Sequence, residues 1–199
     1  MSILKVRVYG DEVLRKKSKE VSKISKKIQT LVQDMLLTMY SQNGVGLAAP
    51  QVGENVRIFV IDVSPADKPK NPLVFINPRI IKKSGATNSY EGCLSFPEAY
   101  TDVRRYKNVT VTALNLKGKP FTIEATDGEL LAIAIQHEFD HLDGKLFVDH
   151  ARNRFATDDI LLKHNLNPID MDYFLEEPEL EEEISKQSDT EEDNEQPEE

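Results

Sequence analysis

The chain has 199 residues, of which 39% are hydrophobic and 30% charged, with a formal net charge of −9. That length suits one well-buried domain, and no stretch approaches the roughly 20 consecutive apolar residues that a membrane-spanning helix needs. The single cysteine, Cys93, excludes an internal disulfide, and the first residues lack the apolar core and small-residue cleavage site of a secretory signal, so the protein is expected in the cytoplasm.

The charge is unevenly spread. Between Leu175 and Glu199 there are 13 acidic residues and one lysine, a net of −12, which leaves +3 for residues 1–174. A net of +3 does not argue for nucleic-acid binding. Residues 175–199 hold too few apolar side chains to offset their ordering entropy and are expected to form a disordered acidic segment. Residues 1–170 are expected to form the folded domain.

In chain order, the first predicted element is a helix over Ile24–Tyr40. Ile24, Ile28, Leu31, Val32, Met35 and Met39 share one face; Ser22 or Ser25 caps the start and Asn43-Gly44 ends it. Short runs rich in β-branched residues follow at Val56–Val63, Leu73–Ile76, Arg79–Lys83, Val109–Leu116 and Phe121–Ala125. Pro78 and Gly85 are read as breaks, and Lys117-Gly118 as a hairpin turn. A second helix is predicted over Asp127–Leu142, with Thr126 and Glu129 as a capping box and Gly144 as terminator. A short last helix is expected near Asp158–Lys163. Helix, strands, then helix indicates an α+β fold, with short antiparallel or mixed sheets packed around the second helix.

That second helix carries His137-Glu138-Phe139-Asp140-His141, an HExxH pattern. Residues four apart share one helix face, so both imidazoles can reach one metal ion while Glu138 leans toward a water on it. Leu130, Leu131, Ile133, Ala134 and Ile135 make the preceding turns apolar, and a buried His-Glu-His set would be costly without a metal or polar partners. The pattern alone also occurs by chance on exposed helices. A third ligand is needed. The longer HExxHxxGxxH pattern fails, because position 147 is Phe. His150, His164, downstream carboxylates and Cys93 remain open, although a lone cysteine is more often a small buried hydrophobe. The neighbours of Cys93 suggest a shaped turn. A third segment, Gly44–Gly53, is rich in small residues and brings Gln51 as an amide donor; without a following GK[ST] it is not a phosphate loop.

Taken together, GVGLAAPQ, EGCLS and QHEFDHLDG, in this order between Gly44 and Gly144, resemble the three signature motifs of bacterial peptide deformylases, and similarity in kind runs from the first residues to about Phe155. The resemblance implies a metal held by Cys93, His137 and His141. It implies Glu138 as the proton carrier, and the Gln51 amide with the Leu94 N–H as donors to the oxyanion. It implies one divalent ion, Fe(II) in the cell, with Zn, Ni or Co able to take the site. The implied reaction removes the formyl group from the N-terminal formyl-methionine of newly made polypeptides, at or near the ribosome and without a membrane. Gly46 is implied to pair with the extended substrate, and Val45, Leu130, Ile133 and Ala134 are candidates for the methionine pocket. Glu91 is expected to pair with Arg105 and brace the cysteine loop. Asn43 and Tyr100 depart from the family's usual acidic residue and Arg, which leaves peptide preference beyond the methionine open. The competing readings are another HExxH metallopeptidase and an inactive ribosome-associated relative.

Overall fold

The structure is a computed structural model that describes residues 2–175; the rest of the acidic segment, and with it the expected disorder, lies outside the described residues. Helix α1 spans Lys26–Ser41, and the Ser25 side chain caps it by accepting from the Ile28 N–H. Its inner face buries Leu31, Val32, Met35 and Met39, each side chain contributing about 1.5–3 kcal/mol on transfer from water. Five strands follow: β1 Gly46–Ala48, β2 Ile58–Ile61, β3 Leu73–Cys93, β4 Phe96–Leu114 and β5 Pro120–Ala125. They form one sheet in sequence order, and every ladder is antiparallel. The expected mixed character reduces to an isolated parallel bridge between Lys19 and Val56.

The strand reading was too fragmentary. Leu73–Ile76 and Arg79–Lys83 are parts of one 21-residue strand, which continues to Cys93. Pro78 does not end it, because it falls at a register shift between Ile76 and Arg79. Asn77, at φ 51, tethers that irregularity: its side chain accepts from the Val21 N–H at 2.8 Å and donates to the Val21 carbonyl at 2.9 Å. Gly85 likewise stands inside the strand. The first half of β4 lacks an apolar-alternation signal because its inward row is half polar. Ala99, Thr101, Val103 and Arg105 alternate with more exposed neighbours, and a count of apolar residues misses two of those four.

Helix α2 runs from Leu130 to Leu142 and starts later than expected. The predicted Thr126–Glu129 capping box does not form, and Glu129 is the cap residue with no side-chain cap bond. Asp127 and Gly128 instead take left-handed backbone, at φ 58 and 66, and their N–H groups bond to the Asn108 side chain and the Lys107 carbonyl of β4. The turn is therefore tied to the sheet, and the helix starts only after it. Nine of its 13 residues are buried. Helix α3 spans Arg154–Lys163, four residues longer at its start than expected, because Asn153 caps it by accepting from the Ala156 N–H at 3.1 Å.

One apolar cluster joins α2 to the sheet through Phe59, Phe75, Val111 and Ile135, and another joins α1 to it through Val32, Met35, Ile58 and Val60. These two contacts fix α2 against the strands that carry the remaining functional side chains. Among the described residues no helix is long and apolar enough to cross a membrane.

Candidate metal centre and cavity

Cys93 is the last residue of β3, and a two-residue turn, Leu94-Ser95, leads into β4. The cysteine thus sits at the mouth of a long hairpin, partly a turn as its neighbours suggested and partly a strand end. His137 and His141 lie one turn apart on the buried face of α2. The structure brings the three together: one ligand atom from each lies within 4.8 Å of the others. Cys93 Sγ is 3.3 Å from His141 Nε2. A cation bound tetrahedrally, about 2.3 Å from sulfur and 2.0–2.1 Å from nitrogen, sets these donors roughly 3.5 Å apart. One thiol and two imidazoles at such separations fit a single metal ion and leave one coordination position over. His150 lies 3.2 Å from Asp140, and His164 lies 3.6 Å from Glu98. Neither joins this group; the cysteine to which the motif resemblance pointed is the residue placed beside the two imidazoles.

A buried lattice of charges orients the set. Glu91 Oε2 lies 2.9 Å from His137 Nδ1, which must carry its proton there and so leaves Nε2 free to face the ligand position. Arg105 from β4 donates to both oxygens of Glu91, at 2.8 and 2.9 Å, and to Asp140 at 2.5 Å. The expected Glu91–Arg105 brace is therefore present, with an addition: Asp140, inside the HExxH pattern, forms its third member. Only the position of Arg105 across from the helix reveals that role. Burial pushes Glu91 upward, but the Arg105 charge and the His137 hydrogen bond outweigh it and hold the carboxyl down to about 2. Burial also works against charge on His137, yet the Cys93 sulfur and Glu91 raise it well above the ordinary value. His141 is lowered by burial and by the neighbouring His137 charge.

Glu138 is 4% exposed, and its Oε2 is buried with no hydrogen-bond partner. Burial pushes its carboxyl up to about 7, and a cation at the adjacent ligand set would draw that value down. Gln51 is locked: its Oε1 accepts from the Ala48 N–H at 2.8 Å, so its amide nitrogen faces Cys93 Sγ at 3.2 Å and Ser95 Oγ at 3.3 Å. Ser95 was not foreseen; its N–H also reaches the sulfur, at 3.4 Å.

A cavity of about 600 Å³ opens over these groups, and Val45, Gly46, Leu130, Ile133 and Ala134 all line it. Ile133 and Ala134 form buried floor, whereas Val45 and Leu130 stand exposed at the rim. Tyr100 stacks on Tyr90, with ring centroids 5.8 Å apart, and both line the cavity with Asn43. Gly92 lies beneath the Tyr100 ring, where a Cβ would come 2.6 Å from Cδ1.

Gly46 is a second close approach. A Cβ there would press on the Glu138 carboxylate, 2.8 Å from Cδ and 2.9 Å from Cγ. Gly46→Ala should therefore displace Glu138 without unfolding the sheet. Turnover should drop about 10²-fold or more while the thermal midpoint moves by only a few degrees. Wild-type turnover in this variant would mean that Glu138 can shift freely.

An α+β fold in which, among the described residues, one half-buried cysteine meets two buried histidines beside a buried glutamate places the chain among metal-binding hydrolases. The sequence model of the polypeptide deformylase family matches residues 3–156. A peptide deformylase of Pseudoalteromonas translucida is 52% identical over 150 residues, covering 75% of this chain and 87% of that relative. One from Clostridium botulinum is 50% identical over 154 residues, 77% of this chain and all of the relative. Among solved structures, the Synechococcus elongatus peptide deformylase in complex with actinonin has a TM-score of 0.80 at 42% identity, over 86% of this chain and 91% of that one. The Thermotoga maritima enzyme has a TM-score of 0.71 at 39% identity, over 76% and 99%. The chain belongs to the polypeptide deformylase family. It is a deformylase acting on formylated nascent peptides, and neither the general metallopeptidase nor the inactive relative is favoured.

Proposed function

We propose that Cys93, His137 and His141 hold one divalent cation, Fe(II) in the cell with Zn, Ni or Co as substitutes, and that the surrounding residues carry out deformylation in the following roles. A cation held by these three residues would lower the pKa of a water beside Glu138 toward 7 and so would supply a nucleophile at neutral pH. Glu138 accepts the proton of that nucleophile and passes it to the departing amine of the methionine. The buried, unpartnered Glu138 Oε2 supports this role, since it has no structural bond to give up.

Gln51 Nε2 and the Leu94 N–H donate to the negative oxygen that forms on the formyl carbon; losing one such donor typically costs ~10²–10³ in rate. The Ala48 contact supports the Gln51 role, because it keeps the amide N–H groups turned toward the site before substrate arrives. Gly46 pairs with the extended peptide. Ile133 and Ala134 receive the methionine side chain beneath Val45 and Leu130. The protein acts in the cytoplasm on chains emerging from the ribosome, with residues 1–170 as the catalytic domain.

The convergence of one sulfur and two imidazoles beside that glutamate carries this reading. Its test is anaerobic purification, metal analysis and formyl-methionyl peptide turnover on one sample. About one ion per chain is expected, with Cys93→Ala losing both ion and turnover. Full metal content in Cys93→Ala would reject the assigned ligand set.

A further inference from the structure

A glutamine amide carries two N–H groups at the end of a side chain with several free torsions, so a single contact does not fix where either points. Two contacts fix the Gln51 amide. Oε1 accepts from the Ala48 N–H at 2.8 Å, and Nε2 donates to Ser95 Oγ at 3.3 Å. The other N–H is left on the side of Cys93 Sγ, 3.2 Å from Nε2, where Gln51 and Cys93 line the cavity. Ser95 is not part of that lining and is 0% exposed. Its hydroxyl therefore meets the glutamine and not the substrate.

This contact joins two loops 44 residues apart in the chain, and a third segment holds them in register. The Arg7 N–H donates to the Gln51 carbonyl at 2.7 Å, and the Tyr9 N–H donates to the Ser95 carbonyl at 2.8 Å. The Tyr9 ring also stacks on Phe96, the neighbour of Ser95, with centroids 4.6 Å apart. Residues 7–9 thus fix where Ser95 stands relative to Gln51 before any substrate arrives. We infer, taking Gln51 as the oxyanion donor proposed above, that Ser95 is a positioning residue for the reaction. Its hydroxyl occupies one N–H of the Gln51 amide and so keeps the other turned toward the oxyanion.

A role in steadying the cysteine is separable from this one. The Ser95 contact to the sulfur, at 3.4 Å, comes from the backbone N–H, which a side-chain substitution leaves in place.

Ser95→Ala removes the hydroxyl with little change in volume. Its kcat should fall about fivefold, the usual effect of one neutral hydrogen bond, with KM within about twofold of wild type. Metal content and thermal midpoint should stay close to wild type. Gln51→Ala should lose ~10²–10³ in rate, and adding Ser95→Ala to it should cost nothing further, because the hydroxyl then has no amide to hold. In the metal-free protein, the NMR order parameter of the Gln51 side-chain amide should drop in Ser95→Ala toward the flexible range below about 0.6. Wild-type kcat in Ser95→Ala beside a slow Gln51→Ala overturns the inference alone. A fivefold loss that persists in the double variant overturns it too, since Ser95 would then act without Gln51. Loss of metal from Ser95→Ala, or an unchanged order parameter, does the same. Wild-type kcat in Gln51→Ala rejects the donor role of the glutamine itself, and the inference with it.

Discussion

Glu138→Ala will lower deformylation of a formyl-methionyl peptide by about 10²–10⁴-fold while leaving the metal content unchanged. The geometry separates the two effects. Glu138 is buried next to the ligand set but supplies none of its three converging atoms. Glu138→Gln is the sharper variant, since it keeps the volume and one acceptor oxygen and removes only the capacity to take a proton. Its turnover should fall nearly as far as that of Glu138→Ala. If Glu138→Gln retained wild-type turnover, the side chain would be acting by position or packing and the proton-carrier role would be lost. If either variant lost its metal, Glu138 would be supporting the ligands rather than moving protons.

Arg105→Met should destabilise the fold by about 3–5 kcal/mol, the usual effect of removing one partner from a buried ion pair. Arg105 is 4% exposed and bridges two acids, Glu91 and Asp140. Methionine fills much of the space and leaves both acids buried without their cation. Urea unfolding provides the measurement, and a loss below about 1 kcal/mol would show that water or a local shift replaces the guanidinium. Changing Asp140 to Asn in the same chain should return part of the loss by removing one stranded charge. Metal affinity should fall as well, because Glu91 would no longer be held in place to orient His137.

The same lattice sets the acid limit. Glu91 is held down to about 2 from an ordinary value of 4.5. A carboxyl depressed in the folded state contributes stability that is fully present above its unfolded value and is withdrawn as pH falls through the folded one. The protein should therefore lose stability progressively from about pH 4.5 toward pH 2. Arg105→Met, in which Glu91 loses its chief stabilising charge, should show a weaker dependence across that window. An unchanged slope would place the acid sensitivity in other carboxylates.

Sequence by itself determined the local half of this protein. Helix periodicity marked α1 because apolar residues recur on one face, end signals and a long apolar run marked α2, and the four-residue spacing of His137 and His141 put two imidazoles side by side on α2 by covalent geometry alone. Three short motifs in order, resembling a known family, supplied Cys93, Gln51 and Glu138 as candidates. Tertiary structure decided what depends on contacts between distant segments. The first half of β4 carries no strand signal because half its inward row is polar, and Thr101 and Arg105 are acceptable there only through partners elsewhere: Thr157 on α3 at 2.6 Å, and Glu91 with Asp140. The start of α2 was displaced because Asp127 and Gly128 bond to β4 rather than to the helix. Spacing left Cys93, His150 and His164 open as third ligands and the motif resemblance pointed to Cys93, but only the packing of the hairpin mouth against α2 brings its sulfur to His137, 44 residues further along the chain. Spacing within one helix is fixed by backbone geometry, whereas distance across a fold is fixed only once the core has packed.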